Sequence, residues 1–187
     1  SFRRKQKSWG ELEKYCHSMQ SYPRRSFPSP FHWHLPYIVS SRISSELINN
    51  LAADEHPILV EGLHCAHLIS NRKLTGRRIF LRQHNNEWIY YAALGRLEKN
   101  MFRKAYFFLE SFLLKGFEKK MAARVPLFCV SDKDRMRSRE RLGARDARFL
   151  PVFNGFTSGY FGEKGKYCLY HGNLDRKSTR LNSSHRT

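Results

Sequence analysis

The feature that most constrains the fold is a series of short, nearly continuous apolar runs separated by stretches of helical periodicity. Such alternation is typical of α/β proteins with a parallel sheet. Strands that crossover helices cover on both faces need apolar side chains at almost every position, as these runs have. The runs lie at residues 57–61, 78–82, 126–131, 148–152 and 167–171, with a weaker candidate at 15–23. We therefore predict an α/β fold with a Rossmann-like parallel sheet flanked by helices.

Two helices stand out between these strands. The first follows Ser44 and Ser45, where a serine cap precedes an amphipathic segment that ends before Pro57. The longest is predicted from about residue 94 to 124, because apolar residues recur there at three- and four-residue steps. Its basic side chains suggest a solvated face, with membrane docking as the alternative. The wide apolar stripe expected to pack into the core is Leu97, Met101, Ala105, Phe108 and Phe112, with Phe102, Tyr106, Leu109, Leu113 and Phe117 alongside.

The charge balance predicts an anionic partner. The 187 residues contain 34 Lys and Arg against 16 Asp and Glu, a formal net charge of +18. Nucleic acid, an acidic membrane surface and phosphorylated small molecules all fit such a charge. The 41% share of hydrophobic residues suits a packed core and excludes a wholly disordered basic tail. Four widely spaced cysteines without a CxxC pair favour a reducing, cytoplasmic setting.

Both ends of the sequence suggest a piece of a longer protein. The chain starts with Ser and lacks a hydrophobic signal segment, so we expect the natural N-terminus to lie upstream. Residues 175–187 are polar and basic and resemble the translation of a sequencing-adapter oligonucleotide, which predicts a non-native tail; a natural flexible tail is the alternative. Without these residues the net charge is 30 minus 15, or +15.

Polar residues directly follow three of the predicted strands. Ligands of doubly wound sheets bind outside the carboxyl ends of the strands, so these positions are candidate functional residues. Each histidine alone also suits a structural hydrogen bond, but recurrence at equivalent strand ends favours function. The candidates are Glu61 and His64 after the first run, His84, Asn85 and Glu87 after the second, and Gly172 and Asn173 after the last.

Other chemistries have little support in the sequence. The histidine segments 32–34 and 64–67 have ligand-like spacing, but no second cluster completes a tetrahedral set, so no metal site is predicted. The GxSxG, GxGxxG and GxxxxGK[ST] motifs of hydrolases, dinucleotide-binding folds and P-loop proteins are absent. The arginine-rich segment 135–145 suits phosphate contacts or a solvated helix and loop.

Five segments in order resemble a bacterial group of family 4 type glycosyltransferases from Bacteroidetes-like organisms. They are LPYIVSSR at 35–42, PILVEGLH at 57–64, RQHNNE at 82–87 with two tyrosines after it, FLPVF at 149–153 and YCLYHGNL at 167–174. The resemblance extends over about residues 10 to 174. The family's His-Asn-x-Glu-His-Asp run is HNNEWI at 84–89 here, so Trp88 and Ile89 replace two polar side chains.

The resemblance implies a GT-B architecture, in which two Rossmann-like domains face each other across a cleft. It implies that residues 1–152 are a partial N-terminal, acceptor-side domain, 153–166 a linker and 167–174 the first strand of a truncated donor domain. Such enzymes are metal-independent and use a nucleotide-sugar as co-substrate without a cofactor. On this mapping His84 and Glu87 act on the acceptor side, Glu61, His64 and Asn85 line the substrate site, and Gly172 and Asn173 approach the donor diphosphate.

The parent protein is accordingly expected to transfer a sugar from a nucleotide-sugar to a cell-envelope polysaccharide or lipid-linked acceptor, and the fragment alone to be inactive. The basic excess is expected to attract an anionic membrane face, which suggests a cytoplasmic or peripheral membrane location. The alternative is a basic nucleic-acid-binding module. No RRM, KH, zinc-finger or helix-turn-helix signature supports that alternative, so nucleic acid is not expected as a partner.

Overall fold

The computed structural model describes residues 10–25 and 33–152 of the chain. Four parallel strands form one sheet, in which each strand pairs with the next along the chain. They are β1 Ile58–Glu61, β2 Ile79–Gln83, β3 Leu127–Cys129 and β4 Ala147–Phe149. The predicted α/β fold, a Rossmann-like parallel sheet flanked by helices, is confirmed. The predicted strand at 167–171, linker at 153–166 and tail at 175–187 lie outside the described residues.

Helices of two kinds precede the first strand and connect the strands. The 3₁₀ helices are Gly10–Lys14, Leu63–Ser70 and Arg72–Leu74. The predicted serine cap is confirmed, since the Ser44 side chain accepts the backbone N–H of Leu47 at the start of α2. No helix within residues 10–25 and 33–152 is long and apolar enough to cross a membrane. The α-helices are α1 Tyr37–Ser40, α2 Ser45–Leu51, α3 Glu87–Leu97, α4 Met101–Ala122 and α5 Asp132–Leu142.

The prediction of one long helix from about 94 to 124 is wrong, because α3 and α4 are separate helices. α3 ends at Leu97, and Asn100 caps α4 by accepting the backbone N–H of Arg103 at 3.1 Å. The buried Glu98 carboxylate accepts two more N–H groups of the same turn. The turn is therefore built from side-chain caps.

The predicted packing of the apolar stripe is wrong for most of its residues. Most of its members are exposed, whereas Phe117 is buried on a face of α4 that also contains Leu114 and Met121. The first half of α4 has apolar side chains around most of its circumference. Periodicity alone therefore did not distinguish the face that packs from the face that does not.

The weak strand prediction at 15–23 is wrong as well. Residues 15–25 have irregular backbone, and Arg25 donates its backbone N–H to the carbonyl of Ser41 at 2.9 Å. This contact attaches the segment beside α1 and α2. The fourth strand is shifted from the predicted 148–152, since it begins at Ala147 and ends at Phe149 before Pro151, which lacks a backbone N–H.

One face of the sheet is buried by described residues, which leave the other face more exposed. The buried side chains include Val60, Leu81 and Leu127, which share one core with Met121 of α4 and Leu142 of α5. Side chains of the opposite parity are more exposed, as the alternating burial along β1 shows. The apolar runs predicted strands that are buried on both faces. Within the described part of the chain, one face of the sheet is buried.

The direction of the connections explains why helices lie on that one face. The strand order is β1-β2-β3-β4, so every connection advances in the same direction across the sheet. Connections between parallel strands are right-handed, which places successive crossovers on the same side. The 3₁₀ helix Leu63–Ser70, α4 and α5 accordingly contact one another in a row. The carboxyl ends of all four strands point to one edge of the sheet.

Candidate functional site

The carboxyl ends of β1 and β2 bring four of the predicted residues to one edge of the sheet. Glu61 is the last residue of β1, and His84 follows directly after β2. His64 lies in the first turn of the 3₁₀ helix after β1, and Glu87 is the first residue of α3. Their clustering follows from the parallel pairing of the two strands, which places their last residues side by side.

A histidine–carboxylate pair forms the centre of this cluster. His84 Nε2 lies 2.6 Å from Glu61 Oε1, and both side chains are about half exposed. Arg82, which faces Glu61 in the register of the two strands, donates from Nη1 to the same oxygen at 2.9 Å. A carboxylate that accepts the Nε2–H of an imidazole orients the ring and leaves Nδ1 as the proton acceptor. The pair is therefore arranged as a general base that solvent and ligands can reach.

A glycine shapes the loop between Glu61 and His64. Gly62 has a φ of 81°, a backbone conformation that residues other than glycine rarely adopt. A Cβ at this position would also lie 3.3 Å from Nδ1 of His64. Burial, followed by the positive charges of Arg42 and Arg24, lowers the pKa of His64 to about 4. His64 is thus a neutral hydrogen-bonding group at physiological pH.

Glu87 is held in place by the start of α3. Burial raises the pKa of its carboxyl, while the nearby His84 and Arg42 partly oppose that shift. The following residue, Trp88, donates its backbone N–H to Glu118 Oε1 of α4 at 3.1 Å. Glu118 is 1% exposed, and burial raises its pKa to about 8. A buried carboxyl on α4 thus fixes the helix start that carries Glu87.

Two arginines that sequence reasoning missed lie beside the same edge. Arg42 donates from Nη1 to the carbonyl of Ile38 at 2.6 Å, and burial followed by the charge of Arg24 lowers its pKa. Arg24 donates from Nε to Ser41 Oγ at 3.0 Å and stacks over the ring of Tyr37 at 5.1 Å. The position of Arg42 in the family-like segment 35–42 was a usable signal. Arg24 had none, because it belongs to an irregular segment without a recognisable pattern.

The remaining predicted residues separate into three groups. Asn85 is exposed, whereas its neighbour Asn86 is buried and donates from Nδ2 to Asp134 Oδ1 of α5 at 2.8 Å. Asn86 therefore ties the site loop to α5. Trp88, which replaces a polar residue of the family pattern, is partly buried against the core. Gly172 and Asn173 lie outside the described residues.

The arginine-rich segment is mostly engaged within the chain. Arg135 pairs with Asp132 at 2.7 Å, and Arg137 with Asp134 at 3.6 Å, both one turn apart on α5. Arg139 donates to the carbonyl of Ala147 in β4 at 2.9 Å. Across residues 10–25 and 33–152, no three His, Cys, Asp or Glu side chains are grouped as metal ligands would be.

Comparison with known proteins gives one weak similarity to a curated sequence. The chain is 28% identical over 117 residues to an "Uncharacterized 44.6 kDa protein in cps region" of Klebsiella pneumoniae. The aligned part covers 63% of this chain and 30% of that protein, so the chain spans less than a third of its relative. No protein-family profile matches the chain, and no solved structure matches it significantly.

Proposed function

We propose that this chain is part of an enzyme of cell-envelope polysaccharide biosynthesis, and that its site serves the acceptor side of a sugar transfer from a nucleotide-sugar. The observation that carries the proposal is the Glu61–His84 pair at the carboxyl edge of the sheet. The similarity to a protein of a capsule (cps) region supports the biosynthetic setting. The acceptor is a saccharide or a lipid-linked saccharide, and the parent protein is a glycosyltransferase.

The pair supplies the proton transfer that such a reaction needs. The hydroxyl oxygen of the acceptor bonds to the anomeric carbon of the donor sugar, and the hydroxyl proton passes to Nδ1 of His84. The bond from the anomeric carbon to the diphosphate breaks, and its electrons leave with the nucleoside diphosphate. Glu61 stabilises the imidazolium that forms, because it accepts the Nε2–H throughout.

Neighbouring side chains orient the acceptor. His64 is neutral, so it hydrogen-bonds a sugar hydroxyl without adding charge to the site. The Glu87 carboxyl offers oxygen atoms to further hydroxyl groups. Arg24 and Arg42 make the adjoining wall positive, which favours an acceptor with a phosphate next to its sugar. Asn85 is a further substrate contact, and Gly172 and Asn173 are proposed to approach the donor diphosphate.

The test is sugar transfer by the full-length gene product, measured as release of nucleoside diphosphate with an envelope lipid extract as acceptor. His84→Ala is expected to lower kcat by about 10²- to 10⁴-fold, the usual contribution of a general base. His56→Ala is the matched control, because His56 is exposed and precedes β1 at the opposite edge of the sheet. Normal turnover by the His84 variant would overturn the role of the pair, and a wild-type protein without transfer activity would overturn the proposed function.

A further inference from the structure

The exposed side of α4 is divided into an apolar half and a basic half. Met101, Phe102, Leu109 and Phe112 occupy its first three turns, with exposed fractions of 72%, 89%, 58% and 75%. The last turns present exposed Lys119 and Lys120 on the same side. The spacing keeps these residues on one face, because side chains three, four and seven positions apart align along a helix. We call these six residues the α4 platform.

The platform is unusual for a protein surface. Large apolar side chains scattered singly on a surface are ordinary, but four on three turns of one helix indicate an interaction site. The two acidic residues of α4, Glu110 and Glu118, are both buried on its other face. The exposed side of α4 therefore combines aromatic and positive side chains without a negative one.

The charge of the rest of the chain argues for an occupant from outside it. The residues outside the described ranges contain ten Lys and Arg but only Glu163 and Asp175 as acids, so they do not complement the lysines. A second copy fits poorly as well. A parallel pair of platforms would place lysines against lysines, and an antiparallel pair would place lysines against phenylalanines.

We propose that the α4 platform binds an anionic phospholipid bilayer. In this arrangement α4 lies in the plane of the interface, with Phe102, Leu109 and Phe112 inserted at the boundary between headgroups and acyl chains. Lys119 and Lys120 contact lipid phosphates. An apolar groove of about 490 Å³ runs beside the lysines and is lined in part by Leu35 and Leu113, which provides space for an acyl chain.

The inference is independent of the proposed function, because binding is measured without turnover. The full chain is sedimented with vesicles of phosphatidylglycerol mixed with phosphatidylcholine, and with vesicles of phosphatidylcholine alone. We expect binding to the first and at least tenfold weaker binding to the second. High salt is expected to weaken the binding, since it screens the contribution of the lysines.

Two pairs of variants separate the platform from the general charge of the chain. Phe102→Ser with Phe112→Ser should weaken binding by at least about tenfold, because two aromatic side chains no longer leave water. Tyr15→Ser removes an equally exposed aromatic side chain elsewhere and should change nothing. Lys119→Gln with Lys120→Gln should weaken binding roughly 25-fold, about fivefold for each charge. Lys133→Gln with Arg141→Gln removes the same charge from α5 and is the matched control.

Several outcomes would overturn the inference. They are absence of vesicle binding, equal binding to neutral vesicles, and equal losses in the platform variants and their controls. Dimerisation of the chain that disappears in the Phe102 and Phe112 variant would identify a second copy as the occupant instead. Because the substituted side chains are exposed, circular dichroism should show the same helix content in every variant.

Discussion

The buried and exposed faces of α4 each contain side chains that are unusual for their degree of burial. The buried face contains Glu110 and Glu118, whereas the exposed face presents Phe102 and Phe112. Each buried carboxyl accepts a backbone N–H at the start of another helix. Ile38 of α1 donates to Glu110 at 3.0 Å, and Trp88 of α3 donates to Glu118 at 3.1 Å.

Backbone groups that pack against α4 therefore influence which side chains its buried face contains. The first N–H groups of a helix have no partner within the helix, and leaving them unpaired in the core is costly. A carboxyl from α4 supplies the missing acceptor for both α1 and α3. The exposed face meets no such demand from described residues, so its side chains are accessible to a partner.

Truncation of one side chain on each face of α4 should have very different effects on stability. Leu114→Ala removes a fully buried side chain, and we expect it to lower the free energy of unfolding by about 3 kcal/mol. Phe112→Ala, two residues earlier and exposed, should change it by less than about 0.5 kcal/mol. Urea unfolding followed by circular dichroism measures both. An equal decrease in the free energy of unfolding for the two variants would mean that the exposed face is packed against part of the chain.

The second prediction concerns the pH dependence that Glu118 confers. Its pKa is raised from 4.5 to about 8 by burial, so the folded state retains a proton that the unfolded state releases. Its contribution to stability is therefore full below pH 4.5 and is lost as the pH rises towards 8. The slope reaches about 1.4 kcal/mol per pH unit when only the folded state is protonated.

Glu118→Gln should flatten this slope, because the amide keeps an oxygen for the Trp88 N–H but does not titrate. Urea unfolding at several pH values across the same window measures it. Glu140→Gln, at an exposed position of α5, serves as the control and should leave the slope unchanged. A slope that persists in the Glu118 variant would assign the titration to another group.

Two glycines, one in α3 and one in α4, should differ by a smaller free energy. Gly116 of α4 has open space where an added Cβ would lie, so Gly116→Ala should stabilise the protein by about 0.5–1 kcal/mol. A Cβ on Gly95 of α3 would lie 3.2 Å from the ring of Phe108. Gly95→Ala should therefore stabilise the protein by about 1 kcal/mol less than Gly116→Ala does. Thermal or urea unfolding resolves such a difference. In a Phe108→Ala background the two substitutions should become equal, and a persistent gap would contradict the steric explanation.

Local patterns predicted the four strands of the described sheet and the Ser44 cap because both depend on adjacent residues. The same patterns did not reveal the break before Asn100, since apolar periodicity continues across it. They also did not show which stripe of α4 packs, because that choice depends on where α1 and α3 begin.

In the candidate site too, local patterns predicted some residues, whereas tertiary contacts place others. The rule for strand ends brought together Glu61, His64, His84 and Glu87, because parallel pairing fixes where strand ends lie. Arg24 and Glu118 reach the site region from an irregular segment and from a later helix. Their contributions depend on tertiary contacts, so no spacing in the sequence indicates them.

The strand order has a consequence for how the protein is made. Each strand after β1 pairs with one that was synthesised before it, so the sheet can grow from β1 to β4 as the chain leaves the ribosome. No described strand has to enter between two that are already paired. The longest interval between the synthesis of two successive strands separates β2 from β3. During it, α3 and α4 are synthesised and pack as a hairpin. Translation of α4 therefore sets the time at which the second half of the sheet can form.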